Sequence, residues 1–375
     1  MAKTIKNVEI VSLEVEPEPL PVTRENLLLS LRGCHVTIPD LQSMIGHWPQ
    51  GVHPEVKRLE KYVQDTIASI LPSPINETRF RTLEASNFAL FAASWWPYAP
   101  YEALEIGTCL AIWLFAWDDE TDSPEYSTIV NDWDECSTFR QKTMDYLQES
   151  LSGNSQSNLS AISTNPIITA FRPVGEAISK SCDNRQISMF LNELLYFVQM
   201  CGEEQKLQMA HRLPTVEEYI RRRLGSGAVR IMFATTEYAY DITLSQEILD
   251  DEAMQRLCEE ANILICITND LLSLKKEVAL SQVDSMIPLL SLELGSVQAA
   301  INHATEAVRS SIQKIDAAEA EILARYSSTP EVREDIRKFI EGCKYACTCN
   351  LNWSLITGRY KLDCQSMKGG LHMTL

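Results

Sequence analysis

Two short segments of this chain gather oxygen-bearing side chains at helical spacing, an arrangement that suits a hard metal ion. The first, Trp113-Leu114-Phe115-Ala116-Trp117-Asp118-Asp119-Glu120-Thr121-Asp122, closes an apolar run with four acids in five residues. Asp118 and Asp122 lie four apart, so on a helix their Cβ atoms share one face about 6 Å apart. Asp119 sits beside Asp118. Carboxylates one turn apart suit Mg²⁺, which takes oxygen ligands and keeps waters that a phosphate can share or replace. Acids at a helix C-terminus oppose the macrodipole, so the placement needs a reason. A solvated helix end is the alternative. An EF-hand is excluded, because Ser123 and then Pro124 stand where that loop requires glycine.

The second segment, Asn269-Asp270-Leu271-Leu272-Ser273-Leu274-Lys275-Lys276-Glu277, places Asn269, Ser273 and Glu277 at successive four-residue steps. Each step turns about 40° around a helix, so the three form one stripe. An amide oxygen, a hydroxyl and a carboxylate in a row make a second oxygen-donor set. Ile263, Leu264, Ile265 and Ile267 precede it and predict a buried helix, where such a row is costly unless satisfied. The alternative is an internal hydrogen-bond network.

Asp118-Asp119-x-x-Asp122 resembles the aspartate-rich motif of class I terpene cyclases, and Asn269-Asp-x-x-Ser273-x-x-Lys276-Glu277 resembles their second metal motif, in the form found in microbial and particularly fungal enzymes with a single α domain. The resemblance implies three Mg²⁺ ions, with Mn²⁺ as an alternative, held around a substrate diphosphate. It places a diphosphate-sensing arginine 46 residues before the Asn, and Arg223 stands there. It makes Ser226 a linker and Gly227 the effector residue whose carbonyl dipole faces the ionising carbon. The family linker is often Asp, so Ser226 departs from the pattern. Arg359-Tyr360 resembles the family's terminal Arg-Tyr pair that reaches the diphosphate. These motifs span residues 118 to 360. The N-terminal third matches less specifically, through Ser94-Trp-Trp-Pro-Tyr-Ala99 before the aspartate helix.

The implied chemistry is heterolysis of an allylic C–O bond. Metal ions would act as Lewis acids on the departing diphosphate, with Arg223, Lys276, Arg359 and Tyr360 as further donors. The cation then needs a cavity that excludes water and offers aromatic faces worth about 0.5–2 kcal/mol each. Helical phase nominates Phe115 and Leu114 one turn before Asp118, Trp353 two turns before Tyr360, Phe88 and Phe91 on the preceding helix, and Ile265 and Cys266 one turn before Asn269. Ordinary core packing is the alternative for each. Trp95 and Trp96 read as structural.

The elements that must position these residues read as helices. Glycine is sparse, 14 in 375 residues, with 45% apolar content, and no strand–helix alternation or fixed-period repeat is visible. The expectation is an all-α chain: one helical bundle around a central active-site cavity, the class I terpenoid-synthase fold by resemblance. Residues 1–38 read as a partly ordered N-terminal strap, 39–360 as the helical domain and 361–375 as a flexible tail. Val56, Leu59, Val63, Ile67 and Ile70 mark an amphipathic helix. The stretch from Asn87 to Trp117 predicts two buried helices broken at Pro97 and Pro100. Residues 150–165 predict a loop, and long helices are expected over 166–181, 185–210, 215–241, 247–279, 293–326 and 330–358.

The net charge of −18 argues against nucleic acid as a partner. Eleven irregularly spaced cysteines read as reduced thiols; Cys343, Cys347 and Cys349 lack the companions of a zinc site. No apolar run reaches the roughly 20 residues of a membrane span, and the N-terminus shows no signal pattern, so a cytoplasmic protein is expected. The resemblance implies a small prenyl diphosphate substrate and a homodimer. Farnesyl diphosphate giving a cyclic hydrocarbon or alcohol is the expected use, with geranylgeranyl diphosphate as the alternative. A chain-elongating prenyltransferase or a head-to-head coupler would carry a second aspartate-rich motif in place of the Asn/Ser/Glu row. A non-catalytic helical interaction protein would explain the amphipathic helices and the acidity but not that row.

Overall fold

A computed structural model describes residues 23–71, 77–152, 158–362 and 364–375. Part of the expected strap, residues 1–22, lies outside these. The remainder of the strap is ordered. Thr23 caps α1 (Arg24–Leu31) by accepting from the Asn26 N–H, and β1 (His35–Ile38) follows. In α2 (Val56–Ile70), Leu59, Val63, Ile67 and Ile70 form the buried stripe that the spacing predicts. Burying an aliphatic side chain of this kind is worth about 1.5–3 kcal/mol.

The segment around Pro97 and Pro100 breaks as expected, because neither residue can donate the backbone bond that a continuing helix needs. It separates α3 (Phe88–Trp95) from α4 (Tyr101–Asp122), whose N-cap is Pro100. Helix α4 is buried on nearly every side from Ala103 to Trp117, and Gly107 is the reason it can lie so close to Trp96: a Cβ there would stand 2.5 Å from the indole ring. Helix α5 (Trp133–Leu151) follows, and residues 153–157 of the expected loop lie outside the described set.

Two capping boxes start the next pair of helices. Asp183 with Gln186 opens α6 (Asn184–Met209), and Thr215 with Glu218 opens α7 (Val216–Ser226). The continuous helix expected over 215–241 is not formed. It breaks after Ser226, where Ala228 takes a left-handed conformation (φ +58°), and restarts as α8 (Val229–Ala234). The long helices α9 (Glu252–Ala279), α11 (Val297–Arg325) and α12 (Pro330–Ile356) run close to their expected spans, with α10 (Met286–Leu294) between the first two. Helix α9 packs on both α11 and α12, and α12 packs on α3.

The last residues correct the expectation of a flexible tail. Strand β2 (Leu371–Thr374) pairs antiparallel with β1, Ile38 opposite Leu371 and His35 opposite Thr374. Further backbone bonds join Gly33 N–H to Leu375 C=O (2.8 Å) and Leu375 N–H to Cys34 C=O (3.0 Å). A lone two-stranded ribbon is marginal in water. This one is held because Val36, Ile38 and Met373 are buried and the Gln298 side chain of α11 bonds both the N–H (2.8 Å) and the C=O (2.9 Å) of Thr37. The architecture is otherwise all-α, and among the described residues no helix is long and apolar enough to cross a membrane.

Candidate active site

The helices leave a cavity of about 760 Å³, and its lining brings together the residues that the sequence singles out: Asp118, Asp119 and Asp122 from α4, Arg223 and Ser226 from α7, and Gly227 after it. Asn269, Ser273, Lys276 and Glu277 enter from α9, Trp353 from α12, and Arg359 and Tyr360 from the turn after it.

The acids ending α4 have separate fates. Glu120 pairs with the buried Arg79 guanidinium at 2.6 Å, and Arg79 also bonds the Ala116 carbonyl, nearly two turns before the end of α4. The guanidinium thereby offsets the charge of one of the four acids near the helix end. Asp119 pairs through both oxygens with Arg359, the closer contact 2.7 Å. Asp118 and Asp122 open on the cavity. Burial, then the neighbouring Asp119 and Glu204 charges, push Asp118 up to about 7. Asp122 is held well above the usual carboxylate range by burial and by Asp118. Two acids that resist losing their protons mark a place short of positive charge.

On α9 the second donor row is satisfied internally. Asn269 Oδ1 accepts from Arg223 Nη2 (2.8 Å), and its Nδ2 donates to the Tyr360 hydroxyl (2.7 Å). Ser273 Oγ donates to one Glu277 oxygen and Ser285 Oγ to the other, both at 2.6 Å. Lys276 passes 6.0 Å from the Tyr360 ring, and burial, then the Arg359 charge, lower its pKa. Both readings of the row therefore coexist: it is a hydrogen-bond network, and its three residues line the cavity.

Asp270, which the sequence reading passed over, is the hub beneath this row. Its carboxylate lies 3.5 Å from Arg223 Nε, accepts from Tyr219 Oη at 2.5 Å and from the Met286 N–H at 3.2 Å. Burial raises it to about 6 although Arg223 pulls it down. Its place next to Asn269 was visible, but its partners on α7 and α10 are distant in sequence. Glu204, Ser285 and Tyr219 were missed for the same reason.

The break after α7 aims a helix C-terminus at the cavity, with the partial negative charge of its last carbonyls. Gly227 N–H bonds the Arg223 carbonyl at 2.8 Å, so the arginine and the break are one turn. A Cβ on Gly227 would lie 2.9 Å from that carbonyl and 3.0 Å from Cys266 Sγ of α9. The Ser226 hydroxyl is buried without a partner.

Aromatic rings form one wall. Trp353 lies edge-on to Phe91 (5.0 Å), Phe115 (5.8 Å) and Tyr360 (5.9 Å), and its Nε1 donates to the Ser86 carbonyl at 2.7 Å. Arg359 stacks over Phe115 at 5.1 Å. Leu114, Ile265 and Cys266 also line the cavity. Trp95, expected to be structural, lines it too, and Phe197 of α6 joins the lining without any sequence signal. Phe88, expected on the wall, is fully buried 5.1 Å behind Phe115. Trp96 is core, as expected.

The residues present fit divalent metal. Among the described residues no three Asp, Glu, His or Cys side chains converge into a closed cage. The oxygens are instead divided between α4 and the stripe on α9. Mg²⁺ suits that division, since it takes one or two carboxylates and completes its shell with water and substrate phosphates.

Comparison with known proteins points the same way. The family model for terpene synthase family 2, C-terminal metal binding, matches residues 109–314. The chain is 30% identical to the sesquiterpene cyclase hepA of Aspergillus oryzae, over 87% of this chain and 89% of that protein. It is 25% identical to the terpene cyclase braA of Annulohypoxylon truncatum, over 96% and 95%. Among solved structures, hedycaryol synthase in complex with HEPES superposes with a TM-score of 0.66 at 18% identity, covering 82% of this chain and 95% of that one. A single-residue variant of cucumene synthase gives 0.68 at 19%, covering 84% and 99%. At these identities the structural likeness speaks for the fold.

Proposed function

Because the chain belongs to the terpene synthase family and is a class I terpene synthase, we propose that it ionises farnesyl diphosphate in the presence of Mg²⁺ and cyclises the resulting cation to a sesquiterpene. The observation that carries this reading is the continuous chain Asp270–Arg223–Asn269–Tyr360 set above an aromatic-walled cavity. It joins a cluster of anion-binding donors to a space fit for a hydrocarbon cation. The relative named as a sesquiterpene cyclase, hepA, supports the fifteen-carbon substrate.

When bound through Asp118, Asp122 and the Asn269, Ser273 and Glu277 row, Mg²⁺ ions would neutralise the diphosphate and make it a leaving group. The roles of Asp119 and Arg359 are tied together: the guanidinium sits at the cavity with Asp119 fixing its direction, and a planar fork suits phosphate oxygens. Arg223 and Lys276 supply further positive charge at the same end. Arg223 transmits arrival of the diphosphate to the helix break, because its own carbonyl holds Gly227. The helix end at Gly227 then stabilises positive charge developing below it, and Phe91, Phe115 and Trp353 offer their faces to the cation.

The test is to incubate the purified protein with Mg²⁺ and, separately, geranyl, farnesyl and geranylgeranyl diphosphates, and to analyse organic extracts by gas chromatography–mass spectrometry. A cyclic terpene from the farnesyl substrate is expected, and EDTA should abolish it. A cyclic product from the geranylgeranyl substrate alone would overturn the chain-length assignment. Longer linear diphosphates, formed on adding isopentenyl diphosphate, would overturn cyclisation itself.

A further inference from the structure

Away from its polar mouth the cavity is walled by Phe91, Trp95, Phe197, Met232, Ile265 and Trp353. Among the described residues lining that part, Asn350 of α12 alone carries a carboxamide. It lies three residues before Trp353, and its contacts are with Ile265 and Thr268, so it sits about one helical turn below the Asn269–Tyr360 level. The side chain is 5% exposed.

Its amide orientation follows from its partners. Asn350 Nδ2 donates to Thr268 Oγ1 at 2.9 Å and to the Ile265 carbonyl at 3.3 Å. A carbonyl can only accept, and the Thr268 hydroxyl is already committed as donor to the carbonyls of Leu264 (2.8 Å) and Ile265 (3.0 Å). Both amide hydrogens therefore belong to α9, and Oδ1 is turned away from it. Oδ1 takes no hydrogen bond from any described residue, and it is not sealed in as the Ser226 and Ser354 hydroxyls are. An oriented, open acceptor in an apolar chamber is costly unless something fills it.

We propose that Asn350 Oδ1 holds a water molecule against the substrate chain and that this water captures the final cation, so that the product is a cyclic alcohol. This rests on reading the cavity as a cyclase site. A closed site excludes bulk water, so a nucleophile must be in place before ionisation, and a single fixed acceptor can hold one. In the step, a lone pair of the water oxygen forms the C–O bond to the cationic carbon. The resulting oxonium loses one proton. An amide is too weak a base to keep it, so the proton passes to the released diphosphate at the cavity mouth. Asn350 is thus a specificity-determining residue: without the water, the same cation loses a ring-adjacent proton and leaves as a hydrocarbon.

The experiment uses the whole protein with Mg²⁺ and farnesyl diphosphate in H₂¹⁸O, following released diphosphate and the labelled products together. Wild-type protein should give a cyclic alcohol that carries the label. In Asn350→Leu, of similar volume, the alcohol fraction should fall about five- to tenfold, the worth of one hydrogen bond to the held water, while diphosphate release stays within about threefold, since no diphosphate contact is touched. Thr268→Val, which frees the amide to turn, should lower the alcohol fraction in the same direction. Diphosphate release with only unlabelled hydrocarbon from wild-type protein would overturn the proposal and leave the cyclase reading standing. An unchanged alcohol fraction in Asn350→Leu would likewise overturn it. Absence of diphosphate release from any prenyl diphosphate would overturn the cyclase reading, and the proposal with it.

Discussion

Replacing Gly227 by alanine tests whether the helix break couples the diphosphate end of the cavity to its hydrocarbon part. The added methyl would meet the Arg223 carbonyl at 2.9 Å and Cys266 Sγ at 3.0 Å, both inside ordinary contact distance. The carbonyl belongs to the same turn as Gly227, so that contact is relieved only by reshaping the turn from Arg223 to Gly227, while the Cys266 contact pushes the turn away from α9 by a few tenths of an ångström. Overpacking of this kind costs about 1–3 kcal/mol. For a chain of this length that lowers Tm by about 1–4 °C, so the fold survives. The catalytic loss should be larger. The shift stretches the 2.8 Å bond from Arg223 to Asn269, which orients both side chains. Displacement by an ångström costs about 100-fold in rate, so a smaller shift predicts a fall in kcat of about 10-fold or more. Steady-state diphosphate release and thermal melting would be measured side by side. Gly227→Ala/Cys266→Ala should regain part of the stability, because only the thiol clash is relieved, and little of the activity. A Gly227→Ala enzyme with wild-type kcat would refute the coupling, and full catalytic rescue by Cys266→Ala would show that the carbonyl contact is irrelevant.

Asp118→Ala and Asn269→Ala should each abolish turnover while circular dichroism and melting remain native-like; retained cyclisation in both would refute the metal assignment. Asp270→Asn keeps an acceptor for Tyr219 and Met286 but removes the charge beside Arg223, so kcat/KM should drop about 10–100-fold, as for other residues that orient a metal site's first ligands, and wild-type kinetics would refute the hub role. The metal-free protein should lose stability with rising pH. Asp118 is raised from 3.8 to about 7, so its contribution is complete below the unfolded value and is lost as pH climbs through about 7. Melting curves without metal should therefore fall over this window and become shallower in Asp118→Asn, part of the fall remaining because Asp122 is raised in the same direction. Added Mg²⁺ should restore the loss at the upper end, because binding needs the deprotonated acid, and Mg²⁺ affinity independent of pH would count against the assignment.

What could be read in the sequence is what a single helix carries. The pairing of Asp118 with Asp122 and the row Asn269, Ser273 and Glu277 follow from four-residue spacing, and the structure puts both on one cavity. The three proline-marked or periodic helices α2, α3 and α4 were legible for the same reason. The break at Gly227 and Ala228 was not, because a Gly-Ser-Gly segment followed by a helical run can continue as helix, and the left-handed turn at Ala228 leaves no mark in residue type. The ordered C-terminal strand was missed because its stability comes from β1 and Gln298, far away in the chain.

The cavity wall shows where helical phase stops being informative. Phase places Phe88 and Phe91 on the same helix face, yet only Phe91 reaches the cavity, because Phe115 stands in front of Phe88. Trp95, one turn after Phe91, follows it to the surface of the cavity, while the adjacent Trp96 packs over Gly107 of α4. Which aromatic meets the cation is decided by how far each helix is rotated about its own axis, and that rotation is set by contacts such as Trp96 with Gly107 and Cys349 Sγ with the Phe91 carbonyl (3.2 Å). In the proposed reaction, product identity would rest on those contacts and on the direction of one amide at Asn350. A local motif cannot encode either, since each depends on two helices at once. Substitutions that leave every metal and diphosphate motif intact but rotate α3 or α12 should therefore change what is made more readily than whether anything is made.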